Sequence, residues 1–188
     1  GALVADPVAA LAPEWPRRSE HGELQLDRLN LAGGAEVWRL GPMPASRRLE
    51  AWLQRHQGPQ LLITEGDPRP LDPLQKSSQW SGGMAAWIAQ QPGLEPLSKP
   101  SVGTDDLSAW IEAQLPLRGA VNEPALAHWL PQLLPERLPL MLAASSPVRD
   151  WLTWGGPACI RHRCFSFRGA SGIDGTLSLA MGLAANLG

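Results

Sequence analysis

A-E-V-W-R-L-G-P-M-P-A-S-R-R-L-E-A-W-L-Q-R-H-Q-G-P-Q-L-L-I-T, residues Ala35–Thr64, decides the fold class of this chain. Ala35–Leu40 reads as a strand that Gly41-Pro42 stops. Ala45–His56 reads as an amphipathic helix: Leu49, Trp52 and Leu53 recur at i, i+3, i+4, and Pro44 precedes the first turn. Pro59–Thr64 is a short apolar strand, ended by Glu65-Gly66-Asp67-Pro68. Strand, helix and strand in succession are the unit from which parallel sheets are built.

The pattern continues outward from that stretch. Pro68–Pro73 is a loop, Ser77–Trp80 a short strand and Gly83–Gln90 a helix, followed by a proline-rich loop over Gln91–Val102. Thr104 is placed to cap a helix over Asp105–Leu115, with Leu107, Trp110, Ile111 and Leu115 on its inner face. Asn122 is placed to cap another that opens Glu123-Pro124, with Leu126, Trp129, Leu130 and Leu133 inward and Pro131 kinking or shortening it. Leu138–Ala144 reads as a fully apolar strand and Cys159–Phe165 as the last strand. On the N-terminal side, Ala2–Pro13 is apolar and expected to pack on the domain, Glu14–Gly22 is loop-like, and Leu24–Leu31 has a weak helical pattern. Strands that are apolar throughout, alternating with amphipathic helices, imply a parallel sheet covered on both faces. The expected fold is therefore α/β, Rossmann-like and doubly wound, with a mainly parallel sheet.

Length and composition limit the remaining possibilities. The 188 residues suffice for one domain and part of a second, with no need of a disulfide or metal to hold the core. A net charge of −2 argues against a nucleic-acid binder, which concentrates basic charge. Cys159 and Cys164, read as lying on opposite faces of one strand, are expected to stay reduced. No apolar run is long enough to span a membrane, so a soluble, cytoplasmic protein is expected. Most of the nine tryptophans sit at core spacing. The four histidines lack metal-ligand spacing, so no metal site is expected; His128 is expected to face solvent and His162 to lie in a strand. Asp67, Asp72, Asp105 and Asp106 occupy turn and cap positions.

Ligands of doubly wound sheets bind at the carboxyl ends of the strands. Three loops are expected there. Gly41–Arg48 ends with Ser46, Arg47 and Arg48 at the start of a helix, where two guanidiniums can grip a carboxylate or phosphate. By spacing alone the pair also reads as a solvated helix face. Ala144–Asp150, A-S-S-P-V-R-D, offers Ser145 and Arg149 as an anion pocket, or as an ordinary capped turn. Ser166–Ser178 carries Gly169, Gly172 and Gly175, which permit close backbone approach to a ligand or simply a crossover between domains. Its glycines fit neither the dinucleotide fingerprint nor the P-loop. Ser171 only loosely echoes a nucleophile elbow.

The stretch R-G-A-S-G-I-D-G-T-L-S at Arg168–Ser178 carries a resemblance. It is joined in order by L-V-A-D-P-V-A-A-L at Leu3–Leu11, W-R-L-G-P-M-P-A-S-R-R-L at Trp38–Leu49, L-D-P at Leu71–Pro73 and S-S-P-V-R-D at Ser145–Asp150. Over essentially its whole length the chain resembles the thiamine-diphosphate enzyme of menaquinone and phylloquinone biosynthesis, 2-succinyl-5-enolpyruvyl-6-hydroxy-3-cyclohexene-1-carboxylate synthase (MenD).

That resemblance implies a central Rossmann-like domain over residues 1–165 and the opening of a diphosphate-binding domain over 166–188. It implies a reaction in which thiamine diphosphate, with Mg2+ or Mn2+, decarboxylates 2-oxoglutarate and the resulting carbanion adds to isochorismate. Arg47 and Arg48 match positions that bind substrate carboxylate, the first usually Lys. Ser145, Arg149 and Arg168 match positions facing the intermediate and isochorismate. Ile173 matches the apolar wedge under the cofactor. The resemblance departs at Ala144 and Phe167, where Asn is usual. The cofactor-activating glutamate and the metal-binding motif are missing, and Gly1 stands where a Met would start a chain. The expectation is a segment with no catalytic residue or metal ligand, inactive alone, with no bound cofactor, from a full-length homodimer or homotetramer. The competing expectations are a non-catalytic structural or metabolite-binding regulatory domain and a Rossmann-like nucleotide binder. Thr176–Leu187, an apolar helix lacking its natural cover, is expected to pack on the central sheet or a neighbouring copy, or to be poorly ordered.

Overall fold

The computed structural model describes residues 21–26, 34–93, 105–115, 121–167 and 173–187. Ala2–Pro13, Thr104, most of the expected helix Leu24–Leu31 and part of the loop after Gln91 lie outside them. The chain forms two compact units, Glu23–Lys99 and Gly1–Gly22 with Pro100–Gly188. The class is α/β and Rossmann-like, with every pairing between strands parallel. Among the described residues the strands fall in two sheets, one of three strands and one of two.

In Glu23–Lys99, strand β1 (Val37–Leu40) pairs with β2 (Gln60–Ile63), and β2 with β3 (Ser78–Trp80). Helix α2 (Arg47–Arg55) connects β1 to β2, and α3 (Met84–Ala89) follows β3. A short helix α1 (Gly22–Gln25) leads into this unit. Leu26, Leu53, Leu62, Ile63 and Trp87 form the core. β1 reverses the usual sense of a buried strand. Its buried side chain is Arg39, while Trp38 and Leu40 are exposed. Trp38 lies edge-on to Trp87 at 4.6 Å.

A guanidinium inside a core needs an anionic partner. Asp72 supplies it at 2.7 Å, both side chains being less than a tenth exposed. Ser77 Oγ accepts a second bond from Arg39 at 2.8 Å. The Asp72 carboxylate also accepts from the Lys76 and Ser77 amides and the Ser77 hydroxyl, each at 2.8 Å. Burial pushes the Asp72 carboxyl up, but Arg39 and these donors outweigh it and hold it well below the usual carboxylate range. Asp72 is thus a core anchor as well as a turn residue.

In the other unit, α4 (Asp105–Gln114), α5 (Glu123–Leu133), α6 (Ser146–Trp154) and α7 (Gly175–Leu187) accompany β4 (Leu140–Met141) and β5 (Cys164–Phe165). Leu107 and Ile111 bury α4 as expected, but Trp110 is 54% exposed. Both strands are shorter than the sequence implies. Leu138 bonds back to Pro135 in a turn, and Ala143 O already accepts from Val148 of α6. Pro157–Arg161 is a 3-10 turn, because Pro157 has no amide to give a ladder and its fixed φ starts a helical turn. Cys159 therefore leaves the strand, and His162 follows the turn. Both cysteines are buried, and neither is in a disulfide.

Helix α5 is capped as expected, Asn122 Oδ1 accepting from the Ala125 amide at 2.9 Å. It runs through Pro131 and ends two residues later. Its inner face is not the leucine face: Ala127, His128 and Pro131 are buried, while Leu126, Leu130 and Leu133 are exposed. His128 is fully buried, contrary to its expected solvent position.

Carbonyl satisfaction explains the inversion. His128 Nδ1 lies 3.0 Å from Trp154 O and His21 Nδ1 3.3 Å from Thr153 O, so two stacked imidazoles serve the last carbonyls of α6. Burial, with the neighbouring His128, lowers the His21 pKa despite the Thr153 bond, so the ring resists protonation. Pro131 cannot donate to Ala127 O, and Cys159 Sγ approaches that oxygen at 3.9 Å. His162, also buried, places Nε2 2.9 Å from Pro131 O and Nδ1 3.1 Å from Leu138 O.

Helix α7 forms with no residue buried, so the expected packing onto the sheet is not observed. Only Thr176, Ala180 and Leu183 are partly covered, a single stripe at helical spacing.

Two stability effects follow. Asp72→Asn strands the Arg39 charge and should destabilise the unit by about 3–5 kcal/mol in urea titration. Because the folded Asp72 pKa is depressed, its contribution is complete above the unfolded value of about 4 and is lost as pH falls below it; the Asn variant should lack that acid-dependent loss. His162→Ala removes the ring that lies between the Pro131 and Leu138 carbonyls, leaves one of them without its donor, and should cost about 1–3 kcal/mol by the same titration.

Candidate functional site

The two described loops that carry candidate residues leave the carboxyl ends of parallel strands. The first joins β1 to α2. Gly41, at φ 82°, turns the chain out of the strand, a conformation that costs glycine little. Ser46 is the N-cap of α2, its Oγ accepting from the Leu49 amide at 2.9 Å. Arg47 and Arg48 are the first two helical residues, and both are exposed. The helix N-terminus adds positive potential beside them. Two permanently charged guanidiniums here suit a carboxylate and suit no proton transfer.

The second loop joins β4 to α6. Ser145 holds the N-cap position but makes no side-chain cap bond, so its hydroxyl is not used by the helix. Arg149 lies one helical turn on, and both are exposed. Residues four apart on a helix are neighbours, so hydroxyl and guanidinium can address one ligand. Ser145 therefore lacks the side-chain bond of an ordinary capped turn. Asp150 beside them is half-buried; burial, then the Glu123 carboxylate, raises its pKa, and Arg149 only partly opposes this.

Arg168 lies outside the described residues, as do Gly169 and Gly172. Ile173, just before α7, is 82% exposed, which leaves its apolar side chain available for contact. Arg47 and Arg48 share one helix, and Ser145 and Arg149 another. Among the described residues no group of three or more His, Cys, Asp or Glu is placed to hold a metal ion. No described helix is long and apolar enough to cross a membrane.

One participant escaped the sequence reading. The Ser46 hydroxyl donates to the Glu23 carboxylate, and both side chains are buried. Glu23 lies at the edge of a stretch read as polar loop, and no local pattern links it to a helix that starts 24 positions later.

No family model matches the chain. Individual proteins do. A 2-succinyl-5-enolpyruvyl-6-hydroxy-3-cyclohexene-1-carboxylate synthase of Synechococcus sp. (strain CC9605) is 82% identical over 99% of this chain. The chain belongs to this synthase family as a segment of its sequence. Synthases of the same name from Parasynechococcus marenigrum (strain WH8102) and Synechococcus sp. (strain CC9902) are 63% and 56% identical, again over 99% of the chain. The chain spans about a third of the length of these relatives, 33–35%. Members of the family therefore carry much more sequence than this segment.

Asp150→Asn removes a carboxylate held in an unfavourable place. A raised folded pKa means the wild-type penalty is absent below the unfolded value and grows as pH rises through the folded one. The Asn variant should be more stable than wild type at pH 7 and equal to it near pH 3 in thermal melts.

Proposed function

We propose that this segment supplies the acid-binding side chains of a thiamine-diphosphate-dependent synthase that joins 2-oxoglutarate to isochorismate in menaquinone or phylloquinone biosynthesis, acting in the cytoplasm. The observation that carries the reading is the exposure of Arg47–Arg48 after the carboxyl end of β1 and of Ser145–Arg149 after that of β4, each a strand of its own parallel sheet. An 82% identical relative bears the synthase name.

Both proposed substrates are dicarboxylic acids, which gives the arginines their task. A guanidinium meets a carboxylate through two parallel N–H···O bonds, so it fixes orientation as well as position. It keeps its proton in a partly desolvated site, so substrate binding does not depend on pH near neutrality. Arg47 and Arg48 bind one carboxylate, with the α2 N-terminus adding favourable potential. Ser145, Arg149 and Arg168 orient the second acid and the intermediate. Ile173 supports the cofactor through apolar contact. The cofactor, with Mg2+ or Mn2+, supplies the electron sink for decarboxylation. No catalytic proton transfer is assigned to the segment, and the isolated chain is inactive in this proposal. Residues 1–165 are proposed as the central domain and 166–188 as the start of the next, in a full-length homodimer or homotetramer.

The test grafts this chain into the CC9605 relative in place of the matching third. Arg149→Ala and Arg168→Ala should each lower kcat/KM about 100-fold or more, with the melting temperature unchanged. Wild-type turnover in either variant would remove that arginine from the reaction.

A further inference from the structure

We propose that Glu23 is a positioning residue for the acid-binding arginines of α2. The inference rests on the reading of Arg47 and Arg48 as carboxylate binders. Ser46 and Glu23 are 4% and 8% exposed. A serine hydroxyl has one proton and two lone pairs. In an ordinary N-cap a lone pair takes the helix amide, while the proton turns toward water. Here the lone pair accepts from Leu49, and the proton is committed to Glu23 Oε1. A hydroxyl bonded to a carboxylate is held about twice as strongly as one bonded to a neutral acceptor. The side chain of Ser46 is thereby fixed at both ends.

The consequence reaches the two following residues. Arg47 and Arg48 start the helix that Ser46 caps, so their backbone position is set by the same bonds. Long exposed side chains cannot correct a misplaced helix start without ordering themselves further, which costs entropy. Displacement of about 1 Å is enough to cost a bound substrate one to two orders of magnitude. Glu23 touches no reacting atom in this scheme. It acts through Ser46.

The grafted synthase provides the test, with Glu23→Ala, Glu23→Gln, Ser46→Ala, the double Glu23→Ala/Ser46→Ala and Arg47→Ala compared by KM and kcat. Glu23→Ala should raise KM about tenfold for the acid whose KM Arg47→Ala raises, with kcat within about twofold. Ser46→Ala should raise the same KM, and the double variant should fall well short of the product of the two single effects, since both break the Ser46–Glu23 bond. Glu23→Gln keeps an acceptor, weaker because it is neutral, so its KM should lie between wild type and Glu23→Ala and nearer wild type. Alike effects of Glu23→Ala and Glu23→Gln would show a charge effect and overturn positioning. So would a lower melting temperature and kcat with KM unchanged. A normal KM in Glu23→Ala while Arg47→Ala is impaired would overturn this inference and leave the arginine reading standing. Normal KM values in Arg47→Ala and an Arg48→Ala control would overturn both.

Discussion

The unit Glu23–Lys99 depends on one buried ion pair, Arg39 with Asp72. An arginine occupies the buried position of a short strand, and that placement is costly without a carboxylate. Asp72 accepts from the amides and hydroxyl of the segment leading into β3, so it fixes that segment while neutralising β1. Met43, in the loop that leads to Arg47 and Arg48, lies with its sulfur 3.9 Å from the same guanidinium. The pair therefore links the strand, the segment before β3 and the loop that leads to Arg47 and Arg48. The wider stability of the unit rests on ordinary apolar burial; the relative placement of its parts rests on this charge.

The second unit is organised by a different requirement, the satisfaction of carbonyls at helix ends. His21 and His128 serve the end of α6, and His162 serves the end of α5. The same device appears in the first unit, where Lys76 donates to Gln54 O and His56 O at the end of α2. Histidines placed this way look dispersed along the chain because their partners are distant in sequence. Their burial follows from a need for donors at these carbonyls. Fixing the end of α6 also fixes its start, which carries Ser145 and Arg149.

Much of the site was legible before any coordinates. Gly41 and the paired arginines form a local pattern, since strand stop and helix start lie within a few residues of each other; the capping role of Ser46 came from the structure. Ser145 and Arg149 likewise sit one turn apart on a helix whose opening Pro147 marks. Glu23 was not legible, because its role depends on contact with a hydroxyl far along the chain. The free hydroxyl of Ser145 was not legible either. A serine at an N-cap position ordinarily bonds the helix, and only backbone geometry shows that this one does not.

By itself the sequence determined the α/β class, the cap at Asn122, the neighbourhood of the α2 start and the family, because these depend on short-range patterns and on residue identity. Tertiary structure alone decided which face of α5 is buried. Two faces of that helix are apolar enough to pack, and the choice went to the one bearing His128, whose ring nitrogen meets a carbonyl that no leucine can satisfy. It also decided that Arg39 lies inside β1. Period-2 alternation places residues on a face, but only the arrival of Asp72 from another segment makes a charge tolerable there.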